Sequence, residues 1–353
     1  MVTVGNKSFK LPAINLVVRC NAGKSSEYGT GHLVRSIKII NFLSKKKINK
    51  KVKLFLVYYS DNQKIIKNTL KQLKYSSCEI IKLKKLSEEI KLMHRLEPHI
   101  VIFDTYNTSK KTIETLKNKN TYIMTLDNKG KGNLLSDVSI FSLIEPKYLG
   151  KVSYIGLKYL VLGNHISKKS LFKEKASRVA VSLGGYDKRG LIFKILEILP
   201  KISKDPTYML FTNHNNINRV KKIIKYKHYL DYKIEIYNYP NNYYSLVKLA
   251  DIGIVSGGLT MFDFLNMGIP SLCLPQYKHQ LLNIKNLAKQ NIILQGSQDM
   301  YISKNLIIKN FNSLYESTKT RRLFFQKSKR LIDNNGLNRI FKIIEKKVMD
   351  IKL

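Results

Sequence analysis

The sequence predicts an α/β protein built from two doubly wound parallel sheets that face one another across a cleft. Three observations carry this expectation. Short apolar runs alternate with amphipathic helical stretches, the alternation restarts at Arg178, and the 353 residues suffice for two separate cores. Near-continuous apolar strands separated by helices indicate a sheet covered on both faces.

In the first series the expected strands are Ile14 to Arg19, Val52 to Tyr58, Glu79 to Leu83, His99 to Phe103, Tyr122 to Leu126 and Val138 to Phe141. Leu33, Ile37 and Ile40 share one helical face, as do Ile66, Leu70 and Leu73. This series defines an N-terminal domain over residues 1–150. The pattern loosens over 151–177, which reads as an inter-domain region partly ordered by Tyr154 and Tyr159. A second domain, 178–335, offers strands at Arg178 to Leu183, Tyr208 to Thr212, Lys233 to Tyr237, Ile252 to Val255, Ser271 to Leu274 and Ile292 to Leu294. Beyond Tyr301 the chain reads as helical. It ends in a basic amphipathic helix, 336–353, expected to pack back on the N-terminal domain.

The formal charge is +39, from 63 Lys and Arg against 24 Asp and Glu, and it narrows the partners without choosing one. Lys, Ile and Asn share A/T-rich codons, so genome composition accounts for much of the excess. Runs such as Lys45-Lys46-Lys47 read as solvated surface. A surface of this sign attracts phosphorylated substrates, and a peripheral contact with an anionic membrane is compatible with it. The lysines are spread along the whole chain with no helix-turn-helix, zinc or aromatic-platform motif, so no specific nucleic-acid partner is expected. No apolar run approaches the roughly 18–20 residues that span a bilayer, and the N-terminus lacks a signal peptide's long apolar core, so the expected location is cytoplasmic. Cys20, Cys78 and Cys273 are far apart and read as core residues. Neither a metal nor a cofactor is expected.

Chemistry concentrates at three glycine turns, each where a strand hands over to a helix. The first is Glu27 to Ser36, EYGTGHLVRS. Gly29 and Gly31 fit a dinucleotide fingerprint, but its third glycine is Val34. The nearby Asn21 to Ser25 mimics the end of a P-loop, with Val18 where the first glycine belongs. What remains is a turn that sets His32 at a helix N-terminus, with Arg35 about one turn on. The second turn, Ser182 to Asp187, lets a phosphate or sugar approach the backbone through Gly184 and Gly185. The third, Ser256 to Pro270 (SGGLTMFDFLNMGIP), joins an apolar strand to a helix. Its unpaired N–H groups and helix dipole make a phosphate site, with Thr260 and the carboxylate of Asp263 just inside. Gln280 and Asn283 share a face of the following helix and suit hydroxyl or phosphate recognition.

Together these motifs resemble the GT-B nucleotide-sugar enzymes, in particular the group containing pseudaminic-acid-pathway UDP-sugar hydrolases and spore-coat polysaccharide glycosyltransferases. Further matches are Phe103-Asp104-Thr105-Tyr106, Leu126-Asp127 and Gly156-Leu157-Lys158-Tyr159, and the resemblance covers about residues 14 to 295. It implies that Gly184, Gly185, Gly257 and Gly258 lie near a UDP diphosphate and Asp263 on the ribose hydroxyls. Asp187, Thr260, Gln280 and Asn283 complete the nucleotide side. It implies that Gly29, Gly31, Arg35, Asp104, Tyr106 and Asp127 meet the substrate in the N-terminal domain. His32 is the implied base, activating water in a hydrolase or an acceptor hydroxyl in a transferase. Hydrolysis of a UDP-sugar is the leading expectation and glycosyl transfer the alternative.

The chain departs from the family pattern in three places. Asp263 replaces a Glu, Asn128 replaces the second Asp of an Asp-Asp pair, and Val161 to Ile166 lacks the usual Arg and Glu.

Overall fold

The computed structural model describes residues 13–23, 30–46, 52–61, 63–74, 77–117, 119–162, 171–185, 187–226, 229–240 and 242–351. The first series runs β1 (Ile14–Ala22), α1 (Thr30–Lys45), β2 (Val52–Ser60), α2 (Gln63–Leu70), β3 (Glu79–Leu83), α3 (Glu89–Leu96), β4 (Ile100–Asp104), α4 (Lys110–Lys117), β5 (Tyr122–Leu126), β6 (Val138–Phe141) and β7 (Val152–Ile155). The second runs β8 (Arg178–Ser182), α5 (Leu191–Ile198), β9 (Thr207–Phe211), α6 (His214–Ile223), β10 (Ile234–Tyr237), α7 (Tyr243–Val247), β11 (Ile252–Ser256), α8 (Leu259–Asn266), β12 (Ser271–Leu274), α9 (Lys278–Lys289) and β13 (Leu294–Gln295). Three helices follow: α10 (Lys304–Glu316), α11 (Thr318–Leu331) and α12 (Gly336–Asp350).

The first sheet has seven strands in the order β3-β2-β1-β4-β5-β6-β7, and the second has six in the order β10-β9-β8-β11-β12-β13. Every pairing is parallel. Each sheet is covered on both faces. In the first, Leu16, Val18 and Ile102 face one core while Val17, Val101 and Phe103 face another. In the second, Val179 and Val181 point to one core, Ala180 and Val255 to the other. Such two-sided burial is what the near-continuous apolar strands require. Two doubly wound parallel sheets are the architecture the sequence predicts.

Beyond shifts of one to three residues at several strand ends, two departures from the sequence reading have a physical reason. β7 extends the first sheet through Val138↔Val152 and Phe141↔Ile155, so the sheet runs past residue 150 and the segment read as inter-domain opens as a strand. The signal was weak because β7 is an edge strand whose Val152 and Ile155 stay about half exposed. The last strand is Leu294–Gln295 rather than Ile292 to Leu294, because Ile292 and Ile293 are buried in the turn leaving α9.

α12 returns to the first sheet. Its Ile340, Phe341, Ile344 and Val348 pack in one cluster with Ile14, Leu16 and Ile40, and Phe341 meets the Phe42 ring edge-on at 5.9 Å. Burying each such side chain contributes about 1.5–3 kcal/mol. Cys20, Cys78 and Cys273 are free and buried, and burial pushes the Cys20 thiol up to about 12, which leaves it inert.

Both sheets reverse their winding direction at one point, between β1 and β4 in the first and between β8 and β11 in the second. Helices diverge there, leaving a crevice beyond the strand ends where α/β sheets bind ligands. Asp104 ends β4, and His32, Gly184 and Gly257 follow β1, β8 and β11.

Candidate functional site

On the first sheet's side the site is a short polar chain. His32 lies in the first turn of α1, and Asp104 is the last residue of the adjacent β4. His32 Nδ1 lies 2.6 Å from Asp104 Oδ1. Burial by itself raises the Asp104 carboxyl, but the Arg35 guanidinium and His32 hold it below its ordinary value. An ionised carboxylate can only accept, so Nδ1 carries the proton and the Nε2 lone pair points away from Asp104. With a side chain 18 % exposed, His32 is the reachable member; Asp104, at 0 %, is not.

Arg35 sits behind this pair. Its Nε donates to Asp104 Oδ2 at 2.9 Å, its Nη2 to Asp104 Oδ1 at 2.5 Å, and its Nη1 to Asp127 Oδ2. Burial works against the Arg35 charge, yet the two carboxylates outweigh it and raise its pKa. Asp127 also accepts from the Ser142 and Leu143 backbone N–H groups at 2.7 and 2.8 Å. Arg35, Asp104 and Asp127 are thus buried and consumed by one another. Expected to meet the substrate, in the structure they steady His32 and fasten β4 to the loop after β5. Asn128 fits the same pattern, donating to the Thr105 carbonyl and to Thr108 Oγ1, both at 2.7 Å. An amide serves there because it must donate, which an aspartate could not.

Tyr106 is half-buried, with its ring 5.9 Å from that of His279 in α9 and Lys129 Nζ 5.7 Å from its centre. Gly31 faces the second sheet, since a Cβ there would sit 3.8 Å from Leu259 of α8. Gly29 lies outside the described residues.

On the second sheet's side, the turn after β11 leads straight into α8, which has no side-chain cap. The Gly257 N–H donates to the Leu274 carbonyl and the Met261 N–H to the Gly258 carbonyl, which leaves those of Gly258, Leu259 and Thr260 for an anion. Gly257 is required by packing, because a Cβ there would come within 2.5 Å of Ile284 in α9. Gly258 lies against Gln280, whose Nε2 would be 3.0 Å from an added Cβ. Gln280 is otherwise occupied through Oε1, which accepts from the Gln276 N–H at 2.9 Å. Thr260 and Asn283 are half-buried nearby on α8 and α9. Asp263, one turn into α8, is buried; its Oδ2 accepts from the Tyr244 hydroxyl at 3.1 Å. Burial raises its pKa, and Lys38 and Tyr244 only partly offset this.

The turn after β8 differs. Gly184 takes φ +91°, a conformation glycine allows, and its carbonyl accepts from the Tyr239 hydroxyl at 2.8 Å. A Cβ on Gly185 would lie 3.1 Å from Thr30 Oγ1 of α1, so this turn touches the first sheet's helix. The carboxylate of Asp187 accepts from the Leu191 and Ile192 N–H groups of α5, each at 2.8 Å, and from Gln276 Nε2 at 2.5 Å. The α5 N-terminus is therefore already filled by the chain's own anion. Asp187, expected among the nucleotide ligands, spends its carboxylate on capping this helix.

Three participants escaped the sequence reading. Lys38, within the apolar run Ile37 to Ile40, reaches across to Asp263. Tyr244 holds Asp263, and His279 in the first turn of α9 stacks on Tyr277 while facing Tyr106. Burial first, then the nearby His32 and Lys129, lower His279 to about 4, so it is neutral at physiological pH. A lysine inside an apolar helical run was the available signal for the first; the others depend on tertiary contacts.

Among the described residues no group of His, Cys, Asp and Glu side chains could hold a metal ion, and no helix is long and apolar enough to cross a membrane.

No family model matches the chain. The spore coat polysaccharide biosynthesis protein SpsG of Bacillus subtilis is 24 % identical over 339 residues, covering 90 % of this chain and 95 % of that protein. The uncharacterized protein MJ1062 of Methanocaldococcus jannaschii is also 24 % identical, over 72 % of this chain; the match spans 55 % of that protein's length. Among solved structures, MurG of Acinetobacter baumannii superimposes with a TM-score of 0.69 at 11 % identity, covering 95 % of this chain and 100 % of that one. A ugt transferase from Siraitia grosvenorii, solved in complex with UDP, gives 0.61 at 9 % identity over 95 % of this chain and 100 % of its own.

Proposed function

We propose that this chain, an SpsG-like protein of GT-B fold, cleaves the anomeric C–O bond of a UDP-sugar, with His32 as base and water as nucleophile. The observation that carries the reading is the His32–Asp104 pair, held at 2.6 Å across the crevice from the uncapped α8 N-terminus. As the nucleophile's oxygen attacks C1, His32 Nε2 takes its proton, and the imidazolium is stabilised by the Asp104 carboxylate. The C1–O bond to UDP breaks with its electron pair on the β-phosphate oxygen. Free N–H groups at α8, beside Gly257 and Gly258, meet that growing charge. Thr260, Gln280 and Asn283 line the same side. A base in hydrogen-bond reach of its proton contributes about 10²–10⁴ in rate.

A second reading keeps the scaffold and passes the sugar to an acceptor hydroxyl in surface-polysaccharide synthesis. The name of the SpsG relative favours it. Incubation with UDP-sugars tests both. UDP release without acceptor is the expected result for hydrolysis. Release that appears only when an acceptor is added gives the chain to the transferases, and release under neither condition removes both readings.

A further inference from the structure

α1 and α8 come from opposite sheets, and one charged side chain from each meets in the crevice. Lys38 Nζ lies 3.9 Å from Asp263 Oδ1, with side-chain exposures of 14 % and 8 %. At that separation the two are too far apart for a hydrogen bond. Both atoms are buried, and neither has a hydrogen-bond partner among the described residues. Asp263 spends its other oxygen on the Tyr244 hydroxyl, and Lys38 Nζ lies 6.0 Å from the centre of the Tyr244 ring. A buried ammonium and a buried carboxylate oxygen left without hydrogen bonds are costly, and the pairing of their charges offsets this only in part. A hydroxyl oxygen set between them can lie within hydrogen-bond distance of both. It accepts from the ammonium and donates to the carboxylate, satisfying both orphaned atoms at once.

Resting on the nucleotide-sugar reading above, we propose that Lys38 is a nucleotide-binding residue contributed by the opposite domain, gripping a ribose hydroxyl of the bound nucleotide together with Asp263. Position along α1 selects the ribose over the transferred sugar. Lys38 lies six residues from His32, about 9 Å along the helix axis, which sets it well away from the reacting carbon. Its counterpart Asp263 follows the α8 turn that would hold the diphosphate, so the ribose falls on this side of the phosphates. Lys38 then makes the nucleoside a bridge between the two sheets, and nucleotide affinity depends on a residue outside the nucleotide-binding half.

The test is calorimetric titration of wild type, K38M, D263N and the double variant with UDP and with 2′,3′-dideoxy-UDP. Wild type is expected to prefer UDP by about ten- to hundredfold, the range of a charge-assisted hydrogen bond. K38M should lose most of that preference while binding the dideoxy ligand nearly as wild type does. The double variant should lose less than the two single losses combined, because both residues hold one hydroxyl. The preference is a ratio of affinities and is independent of how much of a variant folds. An unchanged preference in K38M, or equal weakening toward both ligands, overturns the proposal while the nucleotide reading stands. Wild type that binds neither ligand overturns the nucleotide reading itself, and this proposal with it.

Discussion

His32 and Asp104, 72 residues apart in the chain, meet at 2.6 Å because β4 lies beside β1 and delivers Asp104 to the first turn of α1. The strand order, not local sequence, makes this pair. Arg35, one turn further along α1, closes the network from behind by chelating both Asp104 oxygens. One helix therefore carries a reachable imidazole and the guanidinium that steadies its partner.

Changing His32→Ala should abolish UDP-sugar turnover and leave UDP affinity within about twofold, since among the described residues His32 makes its hydrogen bonds to Asp104 and Arg35 and none to the α8 side. Turnover by release of UDP and affinity by calorimetry read the two separately. Near-normal turnover would refute its role as base.

Changing Asp104→Asn should lower kcat by about 10²–10⁴, because the neutral amide removes the imidazolium's counter-charge and its NH2 group can donate to Nδ1, which favours the wrong histidine tautomer. KM for the UDP-sugar should hardly move. The variant should also lose the wild type's acid sensitivity at this site. The folded pKa lies below the ordinary 3.8, so this group's stabilisation is present above that value and disappears as pH falls through the lower, folded one. Thermal melts between pH 5 and pH 2 check the difference between wild type and variant.

His279 predicts a pH effect in a separate window. Its folded pKa is lowered from 6.5 to about 4, so the unfolded chain binds the extra proton first. Wild-type stability should therefore fall as pH drops from 6.5 toward 4, with no further loss from this residue below that. His279→Gln should flatten this part of the melting-temperature profile relative to wild type. Parallel profiles would show that His279 is not held neutral by its surroundings.

Changing Asp187→Ala should cost about 0.5–2 kcal/mol of stability, the usual worth of a helix cap, because the Leu191 and Ile192 N–H groups lose their acceptor. UDP affinity should not fall, since the uncapped helix facing the site is α8. Chemical denaturation and calorimetry measure the two, and a tenfold loss of UDP affinity would return Asp187 to the nucleotide ligands.

The two-sheet fold was legible because it is written in apolar runs. β3, β5, β6 and β12 match their expected bounds to the residue. β7 was not legible, because an edge strand buries too little to leave a hydrophobic trace. In the site, the glycine turns and His32 were visible as a strand, a turn and a helix start. Which carboxylate stands free was not. Asp104, Asp127 and Asp187 look alike in sequence, and only the pairing of β1 with β4 and the geometry of α5 show each to be spoken for. Lys38 was hidden for the opposite reason: a charge in an apolar helical run gains meaning only from the second sheet's helix opposite it.

The return of α12 to the first sheet has a consequence for how the molecule is made. Residues 178–331 leave the ribosome before Ile340, Phe341, Ile344 and Val348, which the first sheet needs to cover one of its faces. The second sheet can thus close its cores while the first still exposes Ile14, Leu16 and Ile40 along that face. In vectorial synthesis, the half translated first is the half completed last, and a chaperone that shields that face has its longest opportunity there.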